Sequence, residues 1–246
     1  MLFHTYIEVI EMHIAKYNRV AVGNIFNHMI ESKARAKRSN VDNNKTKYNY
    51  NILNSEKKPI QILKELLKKD NIHCSSRKDV IVATSICLTA PDNLPEDRYD
   101  EFFYKAALFF NDRYNKDEKY SPCLGAFVHK DEMAKNKNGN VKPHMHYLMS
   151  NLVFDKKKNR YKFCCKEVIN KKDLTTLHQD FKNYIDKAMN LDLEIINGAT
   201  ANGNKTILEL KNQELEKKVV TQQEEIQKLK QLKNKLQNQI EYELVR

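Results

Sequence analysis

Two apolar runs constrain this chain more than any other feature: LGAFVHKDE (124–132) and VKPHMHYLMSNLVF (141–154). Both read as strands, and the polar connector between them carries Asn138-Gly139-Asn140, a hairpin signal. A hairpin commits the centre of the sheet to antiparallel pairing. Side chains at i and i+2 of a strand share a face, so His144 and His146 point one way while Met145 and Tyr147 point the other. In the paired arrangement His129 lies across from them. An isolated His-x-His is also what the solvated face of a half-buried strand offers, so the rest of the chain has to discriminate.

The flanking sequence alternates helices and strands. Residues 1–22 have a strand-like mix, and DVIVATSICLTA (79–90) is a β-branched run suited to a buried strand. Ile60, Leu63, Leu66 and Leu67 follow helical spacing with lysines opposite. Pro95 opens an acidic first turn leading into a helix, and Asp173 is the expected cap of another over 174–190. This pattern predicts an α/β (α+β) sandwich, with a mainly antiparallel central sheet flanked by helices.

NGATANGNK (197–205) is the clearest linker, dividing a domain over 1–196 from a helical tail over 206–246. In the tail Val219, Ile226, Lys233 and Ile240 recur every seven residues, as do Leu208, Leu215, Gln222, Leu229 and Leu236. β-Branched residues at a with leucines at d favour a parallel two-stranded coiled coil, hence a homodimer. Asn212 and Lys233 fall in the a series, where a polar side chain lowers stability but fixes register.

A net charge of +11 over 246 residues favours polyanionic partners, nucleic acid first. SKARAKRSNVDNNKTKYNYN (32–51) is a basic, Asn-rich loop or arm in which Lys33, Arg35, Lys37 and Arg38 suit phosphate contacts, as do Arg77 and Lys78. No stretch approaches the roughly 20 apolar residues of a membrane span. The five cysteines (74, 87, 123, 164, 165) are odd in number and form no C-x-x-C, so a reduced, cytoplasmic protein is expected.

The histidines have their own chemistry. Neither cysteine-based zinc-finger spacing nor H-E-x-x-H is present. Three imidazoles converging from neighbouring strands make a divalent-metal site with open positions, to which Glu132 adds a carboxylate or an orienting contact. In a basic protein, an open site of this kind suits polarisation of a phosphate.

The H-h-H strand resembles the HUH motif of endonucleases that nick single-stranded DNA. The fuller string VHKDE…PHMHY is similar to the third motif of the MobV-type relaxases, the plasmid mobilisation and recombination (Pre/Mob) family. GNIFNH, ending at His28, resembles the first motif, and NVDNNKTKYNY, ending at Asn49-Tyr50, the second. SRKDVIV (76–82) resembles a further Arg-Lys-Asp stretch that leads into a strand, and the segments occur in the family's order. Three features depart from the pattern. Glu31 stands where the family has arginine, the connector 133–142 is longer, and the proline that often follows the HMH strand is missing.

The resemblance implies an HUH-endonuclease-like sandwich and a relaxase that nicks one strand at an origin of transfer by transesterification, retaining a covalent 5′-phosphate adduct. It implies a metal, Mn²⁺ or Mg²⁺, on His129, His144 and His146, with Glu132 beside them and His28 as nucleophile. An imidazole with a pKa of about 6.5 is largely neutral at pH 7 and a competent nucleophile. Asn49 and Tyr50 join the DNA-contacting set, on single-stranded or hairpin DNA. Other readings remain. Tyr184 and Lys187 in YIDK match the Y-x-x-K of rolling-circle replication initiators, although Phe181, Tyr184 and Ile185 also make an ordinary core stripe. A non-catalytic basic coiled-coil DNA-binding protein and a hydrolase of small phosphates are the readings from other classes.

Overall fold

The computed structural model describes residues 12–30, 41–53, 55–116, 119–132, 142–195 and 207–244, with His28 described in its backbone alone. In chain order the strands are β1 (Met12–Asn18), β2 (Tyr50–Asn51), β3 (Ile72–His73), β4 (Ile81–Thr89), β5 (Asn115–Lys116), β6 (Lys119–Tyr120), β7 (Cys123–His129), β8 (His144–Ser150), β9 (Leu152–Asp155) and β10 (Arg160–Phe163). The α-helices are α1 (Val22–Ile30), α2 (Pro59–Leu67), α3 (Tyr99–Tyr114), α4 (Cys165–Val168), α5 (Lys171–Met189) and α6 (Ile207–Leu244).

The central sheet has the order β1-β4-β8-β7-β2, and every neighbouring pair is antiparallel. The two apolar runs form its β7–β8 pair, as the connector signal predicts. The alternation of each strand decides what its faces bury. One face presents Ile86 and Leu88 from β4, Met145, Tyr147 and Met149 from β8, and Ala126 and Val128 from β7, all in one buried cluster with Phe102, Phe110, Phe181 and Ile185 of α3 and α5. Phe110 stacks on Phe181 with ring centroids 5.6 Å apart and meets Tyr147 at 5.3 Å. Each fully buried aromatic or leucine of this kind contributes roughly 1.5–3 kcal/mol.

The opposite face is divided. Towards one end Ala83, Leu148 and Phe127 pack under Val22 and Phe26 of α1 and Leu63 and Leu66 of α2. Towards the other end the same face carries the histidines, because β8 reads His144, His146, Leu148 along it and only the last of these is apolar. A smaller sheet, β3-β10-β9, and the β5–β6 ribbon complete the unit.

Two local expectations change. The cap of α5 is Asn170, whose side chain accepts a hydrogen bond of 3.0 Å from the Asp173 backbone N–H. Asp173 lies inside the first turn instead, with Arg113 Nε at 3.0 Å and the Tyr114 hydroxyl at 2.8 Å on its carboxylate. Local pattern favours an aspartate cap, and here a tertiary ion pair claims that side chain. The acidic turn after Pro95 is a 3₁₀ turn over Glu96–Arg98, from which α3 continues.

The chain divides into two units, Met1–Asn197 and Gly198–Arg246. In the second, α6 runs for 38 residues, about 57 Å at 1.5 Å per residue. No helix among the described residues is long and apolar enough to cross a membrane.

Candidate metal centre

The register of the central sheet builds the centre. His129 on β7 pairs directly with His144 on β8, while His146 sits two residues further along the same face, opposite Phe127. The three imidazoles form a triangle, with centroid separations of 5.1 Å (129–144), 5.2 Å (129–146) and 5.0 Å (144–146). His129 is 1% exposed and His144 8%, while His146 is half-buried. The Ser85 hydroxyl lies 3.5 Å from His146 Nδ1.

Glu132 follows β7 on a turn that folds back over the triangle. Its carboxylate oxygens lie 4.0 Å from His129 Nδ1 and 3.5 Å from His144 Nε2. His129 Nδ1 and His144 Nε2 are 3.3 Å apart, a hydrogen-bond distance for one choice of tautomers. It is equally the separation of two ligands on one ion, since metal–nitrogen bonds of roughly 2.1 Å at cis or tetrahedral angles put the nitrogens about 3.0–3.4 Å apart. Donor atoms of His129, Glu132 and His144 lie within 4.8 Å of one another, a cluster that fits a divalent cation, and His146 joins His144 in a second cluster beside it.

The turn carrying Glu132 is held by residues 41–49. Asn49 bridges it, with its amide Nδ2 donating to Asp131 Oδ2 at 2.7 Å and its Oδ1 accepting from the Lys130 backbone N–H at 2.7 Å. The Thr46 hydroxyl donates to the same Asp131 oxygen at 2.9 Å, and the Asp42 N–H donates to the Asp131 carbonyl at 2.8 Å. A bridge pairs Val41 with Glu132. Asp131 is fully buried. The NVDNNKTKYNY segment therefore docks on the HKDE segment and fixes where Glu132 points.

Other expected site residues have different surroundings. Tyr50 lies on the opposite face of edge strand β2, where its hydroxyl donates to Asp100 Oδ1 at 2.6 Å and Lys130 Nζ sits 5.3 Å from the ring centroid. Burial and then the Asp100 carboxylate hold its phenol well above the usual value. Arg77 is exposed and forks onto its neighbour Asp79, with Nε at 2.9 Å from Oδ1. It and Lys78 precede Ile81, whereas Cys87, level with His146, lies about 20 Å further along β4. Tyr184 packs on Phe109 with centroids 5.3 Å apart, among the α3 and α5 residues that cover the face away from the histidines. The structure brings neither Tyr184 nor Arg77 to the triangle. His28 falls within α1, with its side chain outside the described residues, as are Arg35, Lys37 and Arg38 altogether.

Sequence reasoning missed two participants. Cys87 faces His146 across the β4–β8 pair, and Cys87, His144 and His146 form a second donor cluster. Its signal was the alternation of SICLT, which has no meaning for the site until the register is known. Asp131 was passed over as part of a motif, and its place as the buried anchor of the turn emerges only from the fold.

Comparisons with known proteins agree with this architecture. The sequence matches the Mob_Pre family, plasmid recombination enzyme, over residues 4–195. No curated protein matches the chain. Among solved structures, the MobM relaxase domain (MOBV; Mob_Pre) bound to plasmid pMV158 oriT DNA, Mn-bound at pH 6.8, superposes with a TM-score of 0.60 at 19% identity, covering 83% of this chain and 98% of that one. The same domain bound to a 23-nucleotide oriT DNA, Mn-bound at pH 6.5, gives 0.59 at 18% identity, covering 85% and 99%. The family match spans most of the first unit, and the fold, antiparallel sheet and histidine face go with it: the chain belongs to the plasmid recombination enzyme (Mob_Pre) family, with a MobV-type relaxase fold.

Proposed function

We infer that this chain is a DNA relaxase that nicks one strand at a plasmid or mobile-element origin of transfer and retains the 5′ end as a covalent adduct. The observation that carries this reading is the triangle of His129, His144 and half-buried His146 with Glu132 beside it, in a chain of the plasmid recombination family. His129, His144 and His146, with Glu132, hold a divalent cation, Mn²⁺ or Mg²⁺ (the MobM relatives are Mn-bound). When bound, the cation supplies positive charge to the non-bridging oxygens of the scissile phosphate.

The remaining work falls to side chains. β7 and β8 pair without a break from Gly125–Leu148 to His129–His144, so the imidazoles are pre-positioned and need no rearrangement before reaction. Asn49 and Thr46 hold the Asp131 turn and with it Glu132. His28 is the nucleophile: its unprotonated nitrogen bonds to phosphorus as the bond from phosphorus to the 3′ oxygen breaks, the 3′ oxygen takes up a proton and the phosphorylated imidazolium gives one up, leaving a 3′ hydroxyl and a phosphoramidate. Nearly isoenergetic exchange of this kind permits rejoining without ATP. Arg35, Lys37 and Arg38 neutralise phosphates, with Arg77 and Lys78 on a more distant stretch of DNA.

The tail supports a homodimer. Along α6, Val219, Ile226, Leu229, Leu236 and Ile240 are each half or more exposed, an apolar seam. In a parallel pair, the g and e positions set Glu225 against Lys230 of the second copy. The domain 1–196, linker 197–205 and tail 206–246 then divide nicking from self-association, in the cytoplasm where the plasmid resides.

Labelled single-stranded oligonucleotides spanning the element's own origin, incubated with Mn²⁺ and run on denaturing gels before and after protease, test the reading. A protease-sensitive adduct on the 5′ side, lost in His28→Ala and in His144→Ala, is expected. Cleavage with freely released 5′ phosphate, or no adduct with any divalent metal despite tight binding, would overturn it.

A further inference from the structure

The donor set at the histidine triangle is larger than three imidazoles and a carboxylate. Cys87 stands directly opposite His146 in the β4–β8 register, and Thr89 opposite His144, so β4 delivers a thiol to the histidine face from the side away from His129. One donor atom each from Cys87, His144 and His146 lies within 4.8 Å of the other two, the same closeness that joins His129, Glu132 and His144. The two clusters share His144. Cys87 is half-buried and sits on a nine-residue strand paired on both sides, so its position is fixed by the sheet and not by a loop.

We propose that Cys87 is a thiolate donor of this metal centre, which makes it a mixed nitrogen, oxygen and sulfur site that selects softer divalent ions such as Zn²⁺ and Co²⁺ over Mg²⁺. This rests on the metal-binding part of the function proposed above. Carboxylate and water ligands alone suit Mg²⁺ and Mn²⁺, imidazole suits Zn²⁺ and Co²⁺ as well, and a thiolate tips the preference firmly towards the soft ions. The sulfur gives up its proton to solvent as the metal–sulfur bond forms, and the closure required is small, because zinc–sulfur and zinc–nitrogen bonds of about 2.3 and 2.1 Å bring donors to about 3.5 Å of one another. A centre of this composition is one in which Zn²⁺ displaces Mn²⁺ more readily than the imidazoles and carboxylate would dictate.

The test is a titration of the full chain with Co²⁺, followed by absorption. Visible d–d bands report binding at the histidines, and a near-ultraviolet thiolate-to-cobalt charge-transfer band reports the sulfur. Both bands in the wild type, with the charge-transfer band absent and the d–d bands retained in Cys87→Ser, is the expected result. Zn²⁺ affinity, measured by competition with a chromophoric chelator, should fall about ten- to a hundredfold in Cys87→Ser, at least the loss seen for ligands one shell further out. The Zn²⁺ concentration that releases Mn²⁺, followed by the paramagnetic resonance of the free ion, should rise by a similar factor. Intense d–d bands without charge transfer in the wild type would overturn the thiolate proposal and leave the histidine centre standing. No cobalt spectrum at all would overturn both.

Discussion

Asn49→Ala separates two accounts of the second motif. The sequence reading places Asn49 among the DNA contacts, whereas the fold gives both ends of its amide to the turn carrying Glu132. The substitution removes a neutral hydrogen bond to the Lys130 N–H, about 0.5–1.5 kcal/mol, and a bond to the Asp131 carboxylate, about 1.5–3 kcal/mol. Because Asp131 is fully buried, water is poorly placed to replace the lost donor, although Thr46 remains on the same oxygen. The unfolding free energy should therefore drop by roughly 2–4 kcal/mol. Urea denaturation followed by circular dichroism gives that figure directly, and a lower midpoint at unchanged slope is expected. A second consequence is local: with Glu132 and His129 less firmly held, Mn²⁺ affinity should weaken about ten- to a hundredfold under conditions where the variant is fully folded. An unchanged urea midpoint and Mn²⁺ affinity, together with weaker oligonucleotide binding, would refute the positioning account and restore Asn49 to the DNA interface.

Lys142→Met should destabilise the fold by about 3–5 kcal/mol in urea, because it strands the Asp92 carboxylate, which lies 2.9 Å from Lys142 Nζ with both side chains only 10% exposed. Tyr184→Phe should leave adduct yield on gels within about twofold, since its ring packs away from the histidine face and removing one hydroxyl alters little. Lys233→Ile should raise the temperature at which a dimer dissociates, followed by light scattering, as a charge leaves the a series. Alkali should weaken the fold: burial raises the pKa values of Tyr114 and Tyr147 and pushes the Cys123 thiol up to about 12. Groups raised in the folded state add stability that is complete below their unfolded values of about 8.5–10 and is lost as pH rises towards the folded ones. Urea midpoints should accordingly fall between about pH 9 and 11, by up to about 1.4 kcal/mol per pH unit for each group, and less steeply in Tyr147→Phe.

The sequence determined whatever depends on local period and on ordered motifs. Alternation in 124–132 and 141–154 fixed an antiparallel pair and put His144 and His146 on one face, because two residues per repeat leaves no other choice. The apolar repeat over 208–240 reads as a long helix, and α6 is that helix, since helical spacing needs no tertiary context to be read. What only the tertiary structure decided involves partners far apart in the chain. Asn49 and Asp131, 82 residues apart, meet because β2 closes the edge beside β7. Cys87 reaches His146 because β4 pairs with β8 in one register and not the next, and a slip of a single residue would have turned the thiol into the apolar core. Tyr184 has a motif's spacing and a core residue's surroundings, a distinction made by which face of the sheet α5 covers. Local pattern sets where a side chain points along its own element, and long-range pairing sets what it points at.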